Sequence, residues 1–101
     1  MKPDSSQLSR AEVDRRITDL RSKMDELDAE LVRLLNARAT YANQIGCLKN
    51  LVGLEIYQPE REVEVLNNVK LHNQGPLPDD GVARLFERII DETKRLERSR
   101  G

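Results

Sequence analysis

The chain has 101 residues, of which 38% are hydrophobic, 35% are charged and 3% are aromatic. This length indicates a single domain, and this composition is typical of helical proteins with much exposed surface. The net charge of -1 argues against nucleic acid as the main partner, which normally requires a concentrated basic surface. Cys47 is the only cysteine and His72 the only histidine, so no intrachain disulfide can form and no metal site is expected. With no membrane-length apolar run and no basic-then-apolar leader at Met1, we expect a cytoplasmic protein without membrane contact.

The first half of the chain carries a 4-3 repeat of apolar residues, which predicts one very long helix. Ser9 and Glu12 form a capping-box pattern at its start, and Gly53 is its predicted end. Arg38 interrupts the repeat. An arginine at such a position must leave the apolar interface, pair with an acidic neighbour or bind an anion, because an unpaired buried guanidinium is very costly. The repeat consists of Val13, Ile17, Leu20, Met24, Leu27, Leu31, Leu34, Tyr41, Ile45, Leu48 and Val52.

Helical spacing relates Arg38 to two other cations. Lys49 follows it by eleven residues, roughly 16 Å along the axis on nearly the same face, so the two side chains could close on one small anion. Arg21 precedes Arg38 by seventeen residues, roughly 25 Å on a straight helix, and cannot join them within one chain. If two copies of the helix run antiparallel about a twofold axis near Val32, Arg21 of one copy lies opposite the Arg38 to Lys49 interval of the other. A helix of about 60 Å also exceeds the width of a compact domain of this size, which favours such a dimer.

The rest of the chain predicts two shorter helices and a disordered lead at residues 1–8, so that the folded domain covers residues 9–101. The second helix begins at Pro59 and ends before the Gly75-Pro76 breaker. The third helix begins near Asp79 and has its apolar stripe at Val82, Leu85, Phe86, Ile89 and Ile90. This stripe continues into Thr93 and Glu97, so either these polar groups have buried partners or the helix frays at Glu97.

Taken together, these residues resemble the all-helical bacterial type of chorismate mutase. The resemblance implies an all-α fold with three helices per chain, one of them very long, in an intertwined homodimer. It also implies an isomerase of the shikimate pathway, which converts chorismate to prephenate for tyrosine and phenylalanine synthesis without a cofactor. The resemblance rests on Leu20-Arg21, Leu27-Asp28, Leu34-Leu35 with Arg38, Ile45-Gly46 with Lys49, Pro59-Glu60-Arg61-Glu62, Leu85-Phe86 and Ile89-Ile90.

The resemblance assigns the cations of the long helix to the substrate. Arg38, together with Arg21 from the partner subunit, corresponds to the residues that clamp the two substrate carboxylates. Lys49 corresponds to the cation that contacts the ether oxygen and a carboxylate.

The remaining assignments fall on the second and third helices. Glu62 corresponds to the acceptor for the ring hydroxyl, and Arg61 and Thr93 correspond to supporting positions around the substrate. Glu97 stands at the position of the second donor to the ether oxygen, where many relatives have glutamine. Gln58 stands where some relatives carry an aspartate near the ring hydroxyl, which leaves the contact of Gln58 with substrate open.

Two alternative functions remain compatible with the pattern. An isochorismate pyruvate lyase would share the fold and the cationic cluster, although the Arg61-Glu62 pair favours the mutase. A non-catalytic antiparallel coiled-coil dimer would use Arg38 only to fix the register of the two helices.

Overall fold

The computed structural model describes residues 7–100, with side chains for residues 7–98. It contains α1 (Arg10–Leu51), α2 (Pro59–His72) and α3 (Asp79–Arg100), and no strand occurs in residues 7–100. The predicted all-α fold with one very long N-terminal helix is confirmed. Of the predicted disordered lead, residues 1–6 lie outside the described residues. The homodimer remains a prediction.

Helix α1 begins and ends at the residues that its sequence indicates. The backbone N–H of Glu12 donates to Ser9 Oγ at 3.1 Å, which satisfies one of the free donors of the first turn. At the other end, the N–H of Leu54 donates to the carbonyl of Lys49 at 2.8 Å and that of Gly53 to Asn50 at 3.4 Å. Gly53 has a φ of 71°, so these bonds form a Schellman motif with glycine in the left-handed conformation.

The chain divides into two compact units, Met1–Leu34 and Leu35–Gly101. In the first unit, the apolar repeat of α1 is exposed in the single chain. Five of its side chains are about half exposed or more, while Ile17 is 40% exposed and Val13 is half-buried; the five are Leu20, Met24, Leu27, Leu31 and Leu34. Burial of such a stripe is the main source of stability for a long helix.

The second unit contains the C-terminal part of α1 together with α2 and α3, and α2 packs against α3. The buried face of α3 differs slightly from the predicted stripe. Ala83 and Ile90 are each 8% exposed, whereas Leu85 is 57% exposed. Ala83 and Ile90 are seven residues apart, so they share one face of the helix, and Leu85 lies well away from that face. The buried face of α3 therefore includes Ala83 and Ile90, whereas Leu85, which the sequence assigns to that face, lies outside it.

No helix within the described residues is both long enough and apolar enough to cross a membrane. Among the described side chains, no group of three or more histidines, cysteines, aspartates or glutamates is placed to hold a metal ion.

The end of α1 gives a prediction about stability. Gly53 has positive φ, and a Cβ there would meet nothing within 4 Å. Gly53→Ala should therefore destabilise the protein by about 1 to 2 kcal/mol through backbone strain alone. Denaturant unfolding at a fixed protein concentration measures this loss. Gly53→Asn is the matched control and should lose less, because asparagine adopts the left-handed conformation more readily. Equal stability of the alanine variant and the parent would contradict the role of this conformation.

Candidate functional site

A pocket of about 390 Å³ lies within the second unit, between residues of α1, the loop after it, α2 and α3. Ile45, Ile56 and Val65 are among its apolar lining residues. Seven of the eight residues predicted from the sequence line it: Arg38, Lys49, Gln58, Arg61, Glu62, Thr93 and Glu97. Arg21, the eighth, belongs to the first unit, is exposed in the single chain, and does not line this pocket.

Arg38 reaches the pocket from α1 and is only partly exposed. Its Nη1 donates to Thr93 Oγ1 at 3.4 Å, and that hydroxyl donates in turn to the carbonyl of Ile89 at 2.8 Å. Burial, and then the nearby charge of Arg61, lower the pKa of Arg38 from its ordinary value. No ion pair within residues 7–98 includes Arg38. The guanidinium therefore meets a neutral hydroxyl and a like charge, which favours binding of an anion.

Lys49 lies on the same helix, and it too is held by a neutral oxygen. Its Nζ donates to the carbonyl of Ile56 at 3.5 Å. No carboxylate of residues 7–98 forms an ion pair with Lys49. Two cations of α1 thus face one pocket, and neither forms an ion pair with a carboxylate of residues 7–98.

Lys94 of α3 does have an acidic partner in the pocket. Its Nζ lies 3.3 Å from each carboxylate oxygen of Glu62 on α2. The same ammonium lies 5.0 Å from the centroid of the Tyr57 ring, a distance typical of a cation–π interaction. These contacts connect α2, α3 and the loop before α2.

Glu97 lies on α3, which continues to Arg100, so the helix does not end before this residue. A Cβ added to Gly46 of α1 would lie 3.4 Å from Glu97 Cγ and 3.6 Å from its Oε2. The missing side chain of Gly46 therefore makes room for the glutamate. Burial raises the pKa of Glu97 above its ordinary value, while the charges of Lys49 and Lys94 act in the opposite direction.

Gln58 and Arg61 line the pocket but are largely exposed. Gln58 precedes the first turn of α2 without a side-chain capping hydrogen bond. Arg61 makes a long contact of 4.0 Å with Glu64, and both side chains are more than half exposed. Neither residue is fixed by its neighbours as firmly as Glu62.

Lys94 is the polar lining residue that the sequence did not single out. The sequence spacing could identify Lys94 as a pocket residue, because it follows the buried Ile90 by four residues and precedes Glu97 by three. The three therefore share one face of α3. The predicted stripe passes through Thr93 instead, because it includes Leu85, which lies away from the buried face of α3.

Comparison with known proteins identifies the family. A model of the chorismate mutase type II family matches residues 20–98. A bifunctional chorismate mutase/prephenate dehydratase of Neisseria gonorrhoeae is 45% identical over 86 residues, which are 85% of this chain and 23% of that protein. The chorismate mutase of Methanocaldococcus jannaschii is 26% identical over 84 residues, covering 82% of this chain and 85% of that protein.

Solved structures agree with the sequence comparison. Form II of the chorismate mutase from Thermus thermophilus is 37% identical, with a TM-score of 0.80 over 82% of this chain and 94% of that one. The chain spans about a quarter of the length of the bifunctional relatives that it matches. By its family match and its similarity to these structures, the chain belongs to the chorismate mutase type II family.

Proposed function

We propose that this chain is a chorismate mutase that converts chorismate to prephenate, without a cofactor, for the synthesis of tyrosine and phenylalanine in the cytoplasm. The observation that carries the proposal is the pair of α1 cations, Arg38 and Lys49, which face one pocket and have only neutral hydrogen-bond acceptors. A dianion such as chorismate supplies the missing negative charges.

The reaction is an intramolecular rearrangement in which an ether C–O bond breaks while a C–C bond forms. It requires no nucleophile and no proton relay. Catalysis consists of holding the flexible substrate in its reactive conformation and stabilising the negative charge that develops on the ether oxygen. Fixed cations in a partly desolvated pocket perform both tasks.

In this proposal the side chains of α1 act on the charged groups of the substrate. Arg38 binds one carboxylate, where the planar guanidinium can form two parallel hydrogen bonds. Lys49 contacts the ether oxygen and a carboxylate. Thr93 supports Arg38, since its hydroxyl accepts a hydrogen bond from that guanidinium.

The side chains of α2 act on the ring. Glu62 accepts a hydrogen bond from the ring hydroxyl, and Arg61 adds positive charge near the carboxylates. Gln58 is exposed at the start of α2, and its neutral amide leaves Glu62 as the acidic lining residue of this side of the pocket.

Glu97 acts as the second donor to the ether oxygen. A carboxyl group donates a hydrogen bond only when it carries its proton. The raised pKa of Glu97, caused by its burial, supports this assignment. A bound dianion would strengthen the effect, because it offsets the lysine charges that lower this pKa.

The site is completed by a second copy of the chain. We propose a homodimer in which Arg21 of one subunit binds the other substrate carboxylate in its partner's pocket. The exposed apolar repeat of the first unit supports such a dimer, and a helical spacing of roughly 25 Å prevents Arg21 from reaching Arg38 of its own chain.

An assay with two substrates tests the activity. The purified protein should convert chorismate to prephenate and release no pyruvate from isochorismate. Lys49→Met should lower kcat by about 100-fold or more, the scale for loss of one preorganised oxyanion donor. Lys70→Met is the matched control and should retain the parent rate. It removes the same charge from the last turn of α2, outside the pocket lining.

In the assay with both substrates, pyruvate release without prephenate would establish the lyase. No conversion of either substrate would favour the non-catalytic dimer.

Subunit complementation tests the shared site. Arg21→Ala and Arg38→Ala should each be inactive as homodimers, because each pocket lacks one carboxylate clamp. After subunit exchange, one of the two pockets of a heterodimer contains both arginines, so part of the activity should return in a chorismate assay. Failure to recover activity in verified heterodimers would contradict the contribution of Arg21 to the partner.

The pH profile tests Glu97. Because the protonated carboxyl group is the donor, activity should be greatest at mildly acidic pH and should fall as the pH rises through the raised pKa of Glu97. Glu97→Gln should have a flatter profile and should equal or exceed the parent at about pH 7.5 and above, since an amide donates at every pH. A parent profile that is flat from about pH 5 to 8, or a glutamine variant that is inactive throughout, would exclude this role.

A further inference from the structure

The ion pair between Lys94 and Glu62 differs from every other ion pair of residues 7–98. The others join residues three or four apart on one helix, and each of their side chains is at least 39% exposed. Lys94 and Glu62 join α3 to α2, with side-chain exposures of 19% and 29%. Exposed local pairs contribute little to stability, whereas a pair that is partly removed from water fixes its partners more firmly.

The geometry of the pair fixes the orientation of the Glu62 carboxylate. The ammonium of Lys94 lies at the same distance, 3.3 Å, from both oxygens. A carboxylate offers about four acceptor positions, so each oxygen keeps a free lone pair for a further donor. The ammonium also lies over the ring of Tyr57, 5.0 Å from its centroid.

The charge of the pair also matters to an anionic ligand. Glu62 lines the same pocket as Arg38 and Lys49, so its negative charge would repel the dianion that those cations attract. Lys94 offsets this charge at short range. Because Gln58 is neutral, Glu62 is the only acidic group that α2 and the preceding loop contribute to the pocket lining, and its orientation depends on Lys94.

We propose that Lys94 is a positioning residue of this enzyme, which holds Glu62 so that its carboxylate accepts the substrate's ring hydroxyl and which offsets the charge of that carboxylate. This inference rests on the proposed function. It assigns a task to a side chain that contacts Glu62 rather than the reacting atoms.

A double-mutant cycle tests the proposal in the full chain. Lys94→Met should lower kcat/KM for chorismate by about tenfold, within the usual range of coupling between contacting residues. In a Glu62→Gln background the same change should lower kcat/KM less than about twofold, because the carboxylate that Lys94 orients is gone. Lys94→Arg should restore most of the activity, since a guanidinium also donates to both carboxylate oxygens. Lys94→Gln, which stays polar, replaces Lys94→Met if that variant does not fold.

Two residues of the same helices provide matched controls. Arg95→Met removes a positive charge from the next position of α3, and Glu60→Gln removes a negative charge from the first turn of α2; both side chains are exposed and outside the pocket lining. Neither change should alter kcat/KM beyond about twofold.

Several outcomes would overturn the inference. A Lys94→Met variant with parental kinetics would do so, and so would an equal loss of activity in both Glu62 backgrounds, because Lys94 would then act independently of Glu62. Chemical unfolding of the four proteins of the cycle measures the pair without substrate. If Lys94 and Glu62 are coupled in stability but not in kcat/KM, the pair is only a structural contact and the inference is wrong. A parent that converts no chorismate would overturn the proposed function and this inference with it, whereas an active parent confines the failure to Lys94.

Discussion

The partial burial of Arg38 and Lys49, neither of which forms an ion pair within residues 7–98, is the constraint on which the rest of the site depends. Removing a charge from water is costly, and the lowered pKa of Arg38 records this cost, since burial is its largest cause. The hydrogen bonds of the two cations go to neutral oxygens, Thr93 Oγ1 for Arg38 and the carbonyl of Ile56 for Lys49, and the Glu97 carboxyl group interacts electrostatically with Lys49. We propose that these cations are already positioned for an anionic ligand once the chain has folded. Such a preorganised site needs little rearrangement when negative charge develops on a bound molecule.

The contact of Glu97 with Gly46 of α1 places this carboxyl group in the same pocket as the cations. Gly46 is buried, and the side chain of Glu97 occupies the space that a larger residue would fill. Glu97 is half-buried there; this burial raises its pKa, and the charges of Lys49 and Lys94 lower it. The protonation state of this carboxyl group thus reflects a balance between packing and charge.

Much of the architecture could be predicted because local chemistry determines it. The start and end of α1 and the start of α2 depend on residues within one or two turns, namely Ser9, Gly53 and Pro59. Helical spacing alone places Arg38 and Lys49 on one face of α1. The contribution of Lys94 depends instead on how α3 is rotated against α2. In that rotation Ala83 is buried and Leu85 is exposed, an arrangement that a hydrophobic stripe alone does not specify. The orientation of Glu62 could not be predicted for the same reason, because its partner lies 32 residues away in the chain.

The end of α1 has a consequence for the lengths of the two connecting loops. The carbonyl of Lys49 accepts hydrogen bonds from the N–H groups of Val52 and Leu54, and the side chain of the same lysine donates to the carbonyl of Ile56. The turn that ends the helix and the ammonium that lines the pocket therefore belong to one hydrogen-bonded loop. An insertion there would displace the ammonium itself. In the connection between α2 and α3, Asn73 bonds only to the carbonyl of Leu77, the carboxylate of Asp79 and backbone groups nearby, and none of these lines the pocket. Among descendants of this sequence, the second connection can vary in length far more freely than the first.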